Sequence, residues 1–465
     1  VYGDFPAHRR RGRASYQLPG RRCLISPFPG GRIGPPAGRS IQRIAIPRIA
    51  LASAASSAAP SGRFPETGKA SPAMDTHETI RTFTDYYRLH GHELLSENTL
   101  LPPEGDDSVL FTTSGMHHLT PYLLGRTHPR GRRLTGVQRC LRTTDLEEVG
   151  DRSHLTVFEM LGSWSLGDYG GGQSLRWGYR LLRDGFGLRP ELLHVTVWGG
   201  DEQVGPDTES WETWQELGVP VEPTREDNWW SNGPIGPCGP DSEIFVWTGP
   251  GEPLGTPTSN PGWVEVWNHV MMRYERLEDG SLIPLPQRSI DTGMGFERLL
   301  TILQGTDSVY DCDIFLPWQE TIPTLYPLDL HEYRVVIDHL RSSMAVIGDG
   351  ILPSSNGRGY VLRRLLRRVL TILWSRGGVL DDLPPSLYEH TLDHFGQLNQ
   401  HSDVTPEHVR RVVLEEQQRF TKTLERGRKL LSRWPSGKVL DEESLRFLHE
   451  THGLPRELVE LLTAA

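Results

Sequence analysis

Apolar positions follow two different periods along the 465 residues, and the change of period divides the chain. In MDTHETIRTFTDYYRLHGHELL, residues 74–95, Ile80, Phe83 and Tyr87 recur on one helical face. That spacing predicts a helix over 76–91, with Thr76 as N-cap and Glu78 in the first turn. From about 108 to 313 the apolar runs become short. SVLFTT, LTGVQRCLR, HLTVFEML, LHVTVWGG, SEIFVWTG and VEVWNHVMM read as strands between Gly/Pro turns, with helices at 173–184 and 293–303. The class predicted is α+β, built on a mostly antiparallel sheet. After 330 the pattern is helical, in YRVVIDHLRSSMAVIGD, RGYVLRRLLRRVLTILWSR and a long run opening at Thr405 and Pro406 as N-cap and first helical residue.

Composition changes this picture mainly at the start. Residues 1–73 hold twelve Lys or Arg against Asp4 and Glu66, a net of +10, while the whole chain carries −10. This segment is rich in Pro, Gly, Ala and Ser and shows neither period, so disorder is expected. It reads as a targeting peptide, a nucleic-acid arm, or translated upstream sequence with the working chain starting at Met74. The last fits best, because helical pattern begins directly after Met74. No apolar run is long enough to span a bilayer, which excludes a membrane-spanning helix. The four cysteines form no CxxC pair, which argues against a disulfide scaffold or zinc finger and fits a reducing, cytoplasmic setting.

Between 358 and 368 stand five arginines and no acid. Leu362, Leu365, Leu366 and Val369 form an apolar stripe, with Arg363, Arg364, Arg367 and Arg368 on the other side. A solvated face is the plain reading. Like charges at this spacing repel unless a polyanion neutralises them, which points instead to a nucleic-acid backbone.

Four stretches carry candidate chemistry. VQRCLR ends in Arg142, and after a polar loop HLTVFEML brings His154 and Phe158 back in a hairpin. A guanidinium grips phosphate or carboxylate through two bonds, and an aromatic ring can stack on a purine. Residues 228–247 open with Gly and Pro in an irregular loop, and Glu243 follows at a strand start. Asn268 sits in the apolar strand VEVWNHVMM, where a buried amide needs a partner. In DTGMGFER, Asp291 ends an extended segment, Gly293 and Gly295 allow close backbone approach, and Arg298 lies on the next helix. This is neither GxGxxG nor a Walker A loop.

In this order the four stretches resemble the class II aminoacyl-tRNA synthetases, and within them the alanine-specific family. The most specific stretches are FEMLGSWSLGDY, GPCGPDSEI, DTGMGFER and GRGYVLRRLLRR, and the resemblance covers roughly 76–460. It implies a class II antiparallel sheet flanked by helices over 74–325 and an all-α tRNA-recognition part over 326–465. It implies alanine–tRNA ligation: alanine and ATP give alanyl-adenylate, then the aminoacyl group moves to the tRNA acceptor stem. Such chemistry is mainly positioning and neutralising of phosphate charge.

The resemblance also implies roles. Arg142, His154, Phe158, Trp230, Val266, Trp267, Asn268, Gly295 and Arg298 would bind ATP. Trp230, Asn268, Val270, Asp291 and Gly293 would bind alanine, with Asp291 on its ammonium. Arg142, Asp291 and Arg298 would be catalytic. Mg²⁺ would accompany ATP, near Glu243, and no zinc is expected. Ser355, Asn356, Arg358, Arg363, Arg364, Arg367, Arg368 and Glu450 would face tRNA.

The chain departs from the family at several points. The loop after Arg142 reads Thr143-Thr144-Asp145, without a lysine. Asp241 replaces the second Cys of a GPCGPC pattern. In PSSNGRGY, Ser355 falls where the family has Asn, and in HETHGLP, Glu450 falls where it has Asp. Base readout depends on such placement. Nothing after HGLPRELVELL supplies an editing His/Cys set, so a separate protein would have to edit in trans. The alternative expectation is a paralogue that activates alanine but delivers it to another RNA, a carrier protein or a small molecule.

Overall fold

The computed structural model describes residues 73–465, apart from 97, 106–108, 232, 234, 397–403, 435–439, 455 and 465. The basic extension up to residue 72 lies outside the described residues. Among the described residues nine strands form one sheet: β1 (Glu93–Leu95), β2 (Arg133–Leu141), β3 (Val157–Ser165), β4 (Leu193–Trp198), β5 (Val221–Thr224), β6 (Trp229–Ser231), β7 (Gly236–Trp247), β8 (Trp263–Arg276) and β9 (Leu282–Gly295). Their order is β1-β2-β3-β9-β8-β7-β4-β5, with β6 paired to β7. The β1–β2 and β4–β5 pairs are parallel, and the other pairs are antiparallel.

Helices α1 (Thr76–Leu89), α2 (Thr120–Leu123), α3 (Gly171–Arg180), α4 (Thr208–Leu217), α5 (Phe296–Gln304) and α6 (Leu316–Leu325) lie among the strands in sequence. Then follow α7 (Leu330–Gly348), α8 (Gly357–Ser375), α9 (Pro385–His394), α10 (Pro406–Leu431), α11 (Glu442–His452) and α12 (Arg456–Ala464). One apolar core runs from Phe83 of α1 through Leu161, Val195 and Met294 of the sheet to Val336 of α7 and Leu366 of α8. The sheet and the later helices therefore share a core. A smaller cluster, with Trp164, Val270 and Met272, covers part of the other sheet face.

Local differences from the sequence expectation have clear causes. α1 is capped by Asp75, whose Oδ1 accepts from Glu78 N at 2.7 Å. Thr76 is free to donate its hydroxyl to Asp313 at 2.6 Å. SVLFTT is not a strand. Thr112 N donates to Leu100 O and Thr112 O accepts from Leu141 N, both at 2.9 Å, so this stretch crosses between elements. The helix expected over 173–184 ends at Arg180 and continues as one π turn, Leu181–Gly185. GPCGP is not an irregular loop but the first part of β7, which places Glu243 inside the strand. Pro240 is tolerated there because the β7–β8 register breaks between Cys238 and Asp241. Gly239 is required at that break: a Cβ would lie 2.0 Å from Met271 O.

Candidate active site

Residues directly opposite each other in paired antiparallel strands share a face, so the register sets out the site in rows. One row runs Trp164, Asp291, Val270, Asp241 across β3, β9, β8 and β7. The next runs Gly162, Gly293, Asn268, Glu243 and on to Thr196 of β4. Met160 and Gly295 pair one step further along. Strand β9 runs through to Gly295, so Asp291 stands within it rather than at its end.

The first row sets a buried acid among apolar side chains, the candidate amino-acid chamber. Asp291 is 5% exposed. Its Oδ1 accepts from Trp164 Nε1 at 2.6 Å. Burial pushes its carboxyl up to about 7, against the Trp164 bond, which lowers it. A buried acid in this position gains by meeting a cation. Val270 and Trp164 pack in one apolar cluster, with Trp230 against it. Bare backbone at Gly293 makes room for the Met160 thioether, since a Cβ there would lie 2.6 Å from Met160 Sδ. Asn268 presents a buried Oδ1 with no hydrogen-bond partner.

Beside the chamber opens a cleft with a cavity volume of about 110 Å³, lined by Arg142, His154, Phe158, Val266, Gly295 and Arg298 among others. Arg142 lies over the Phe158 ring, 5.1 Å from its centre. Its Nε donates to Thr113 O at 3.2 Å, which aims the guanidinium along the cleft. Arg298 opens α5, and its Nη1 bonds Glu265 Oε2 at 3.0 Å. His154 stands between Asp151 at 2.6 Å and Glu148 at 3.1 Å. Trp267 does not face this cleft. Its side chain is fully buried on the opposite sheet face, 5.7 Å from the Phe83 ring. The strand period requires that, because Val266 and Asn268 flank it on the cleft side.

Sequence reasoning overlooked Trp164, Met160 and Glu265. Trp164 was detectable as the residue two steps from Gly162, on the same face. Glu265 had no signal short of the Arg298 bond. Burial, then Glu265 and Asp241, push the Glu243 carboxyl up to about 9. This crowding of acids next to the cleft favours a cation. No group of three or more His, Cys, Asp or Glu among the described residues is placed to hold a metal by itself.

The arginines of α8 are engaged within the chain. Arg363 and Arg367 both reach Glu416 Oε1 of α10, at 3.3 and 2.9 Å, and Glu416 is buried. Arg364 pairs with Glu147 at 2.8 Å. Arg368 Nη1 donates to Leu146 O at 2.7 Å. Glu147 and Leu146 belong to the loop between Arg142 and His154. The repulsion that suggested a polyanion is thus relieved by Glu416, Glu147 and a backbone oxygen. Arg358 donates to Leu110 O at 2.5 Å. Ser355, Asn356 and Glu450 are exposed.

The same hairpin is fixed from α7. Asp338 accepts from Thr156 N at 2.7 Å and from Thr156 Oγ1 at 2.5 Å. Arg341 Nη1 donates to Val157 O at 2.9 Å, and its Nη2 bonds Glu297 Oε1 at 3.2 Å. Glu297 also accepts from Glu159 N. One arginine therefore joins the strand bearing Phe158 to the helix bearing Arg298.

The model of the family described as tRNA synthetases class II (A) matches residues 78–465. The chain belongs to this family. The alanine–tRNA ligase of Rubrobacter xylanophilus is 38% identical over 418 residues, covering 84% of this chain and 47% of that protein. That of Borrelia hermsii is 38% identical over 417 residues, covering 84% of this chain and 69% of that protein. That of Treponema denticola is 43% identical over 309 residues, covering 62% of this chain and 51% of that protein. The chain thus spans between about half and two thirds of the length of these relatives. No helix among the described residues is long and apolar enough to cross a membrane.

Proposed function

We propose that this chain activates L-alanine with ATP and transfers it to the acceptor end of tRNA. The observation that carries the reading is the buried Asp291, held by Trp164 beside Val270, with bare backbone at Gly293. The substrate ammonium pairs with Asp291, and its methyl group rests on Val270 and Trp230. The alanine carboxylate then attacks the α-phosphorus of ATP and the bond to pyrophosphate breaks. Arg142 holds the α-phosphate and the carboxylate, Phe158 stacks on adenine, and Arg298 turns from Glu265 to the nucleotide. His154 contacts the phosphates. In the second step a ribose hydroxyl of the acceptor attacks the acyl carbon and AMP leaves. Since no covalent enzyme intermediate forms, these groups act by placement and charge.

Glu243 and Glu265 would hold Mg²⁺ arriving with ATP, because both are hard oxygen donors and a cation would relieve their mutual repulsion. Bound there, Mg²⁺ would neutralise phosphate charge. A pocket for one methyl group excludes larger side chains but separates alanine from glycine by only ~1–3 kcal/mol.

Alanine-dependent ATP–pyrophosphate exchange tests the reading. Exchange in the native chain that disappears in Asp291→Ala supports it, and a native chain without exchange refutes it. A second reading concerns the acceptor. The engagement of Arg363, Arg367 and Arg368 within the chain and the residues Ser355 and Glu450 favour an acceptor other than tRNA(Ala). Charging of a G3·U70 tRNA against its G3·C70 variant separates the two.

A further inference from the structure

Asp241 lies in the same row as Asp291, on the far side of Val270, and it is 1% exposed. Its partners are amides. Asn228 Nδ2 donates to Asp241 Oδ1 at 2.9 Å and also to Thr196 Oγ1 at 3.0 Å. Asn228 Oδ1 accepts from Thr224 Oγ1 at 2.6 Å, which fixes the orientation of that amide. Asn228 O accepts from Asp241 N at 3.0 Å, so backbone and side chain are tied together. Asn268, two residues from Val270 on the same face, is the diagonal neighbour of Asp241 across the β7–β8 pair, and its amide acts to lower the Asp241 carboxyl.

An amide whose nitrogen is held from one side shows its oxygen on the other. Asn268 Oδ1 is the end left buried and without a partner. Asn268 stands directly opposite Gly293, and Asp291 is two residues from Gly293 on the same face. Diagonal neighbours of this kind are within reach of one small group placed between them. Gly293 adds no side chain there, and what lies over it is the flexible thioether of Met160. Two acceptors, a carboxylate and an amide oxygen, therefore converge where an ammonium with three donors would lie.

We propose that Asp241 is a positioning residue for the amino-acid chamber: it takes the amide N–H of Asn268 and so presents Asn268 Oδ1, beside Asp291, to the α-ammonium of the substrate. This deepens the reading above and rests on it. If the amide turned over, two N–H donors would face the ammonium and repel it. Asp241 itself touches no substrate. Its effect passes mainly through Asn268, so it should change the affinity for the amino acid more than that for ATP, which it reaches only through its charge on Glu243.

The test uses the whole chain and alanine-dependent pyrophosphate exchange, with the Michaelis constants for alanine and ATP read separately and folding followed by thermal melting. Asp241→Ala should raise the alanine constant about tenfold, the loss of one well-placed bond to a charged group, with a clearly smaller change in the ATP constant. Asp241→Asn puts an N–H donor where one of two amides already donates, and should raise it as well. The double change Asn228→Asp with Asp241→Asn restores the order of donors and acceptors. The introduced carboxylate receives the new N–H, and the remaining oxygen at 241 faces Asn268, so alanine affinity should recover. An unchanged alanine constant in Asp241→Ala, or equal changes for alanine and ATP, overturns the proposal. So does a double variant no better than Asp241→Asn. A native chain without exchange overturns the functional reading instead, and the inference falls with it.

Discussion

Trp164 and Asp291 sit directly opposite each other on β3 and β9, and the indole N–H donates to the carboxylate at 2.6 Å. The bond holds an acid in apolar surroundings where burial keeps its carboxyl near pH 7. Stability and function then run in opposite directions. With the folded value raised, the stabilising contribution is complete below the ordinary carboxylate range and is lost as pH rises through about 7. The ammonium needs the ionised form. Under the proposed function, kcat/KM for alanine in pyrophosphate exchange should rise as pH passes through about 7. Trp164→Phe removes a donor that favours ionisation, so the rise should move to higher pH. Asp291→Asn should abolish it and lower kcat/KM by roughly 10²-fold or more, as expected for losing one member of a buried charge pair.

Two glycines of the sheet should respond differently to alanine. At Gly239 the added carbon meets a backbone oxygen at 2.0 Å, which cannot move aside without breaking the β7–β8 pairing. Gly239→Ala should destabilise the fold by roughly 3 kcal/mol or more, measured by chemical denaturation. At Gly293 the obstacle is Met160 Sδ at 2.6 Å, on a flexible side chain. Gly293→Ala should fold with a melting point near native and lose alanine activation.

Arg298 and Glu265 form a pair at 3.0 Å, and both are about one third exposed. ATP has to compete with Glu265 for the guanidinium. Arg298→Ala should lower kcat/KM for ATP by on the order of 10²-fold, in the range seen when one stabilising donor is removed. Glu265→Gln should tell Arg298 and Mg²⁺ apart: if freeing the arginine dominates, ATP affinity rises, and if Glu265 mainly assists the cation, the Mg²⁺ requirement increases. A magnesium titration of the exchange rate distinguishes these outcomes.

The arginines of α8 should separate into structural and surface members. Arg364 and Glu147 are both largely exposed, so Arg364→Ala should change stability by less than about 1 kcal/mol. Removing Glu416 leaves Arg363 and Arg367 facing each other beside a buried position. Glu416→Ala should cost roughly 3–5 kcal/mol. Arg368→Ala loosens the loop at Leu146, and the ATP constant should rise more than the alanine constant.

Much of this was legible in the chain before any coordinates. The period-2 runs of β2, β4 and β8 placed those strands, and Thr405 and Pro406 marked the start of α10. DTGMGFER placed an acid, two glycines and an arginine, and pairing across β3, β9 and β8 brings Asp291, Gly293, Asn268 and Val270 onto one face. What stayed hidden depends on contacts distant in sequence. Glu416 is about fifty residues from the arginines it neutralises, so a local charge count made them look free. GPCGP looked like a loop because its register break, which accommodates Pro240, is set by pairing with β8. Trp267 looked like part of the ATP site because sequence alone does not say which side of a strand faces the cleft.

Thr156 and Asp338 are 182 positions apart, yet their two bonds fix the start of the strand that bears Phe158. Closing so long a segment is entropically costly until other contacts share the burden. In a nascent chain the hairpin bearing Arg142 and His154 can therefore pair its strands but cannot lock until α7 has left the ribosome. The nucleotide site matures late in synthesis, after its own residues have long been made, and a protease acting before that moment would find the loop between Arg142 and His154 untethered.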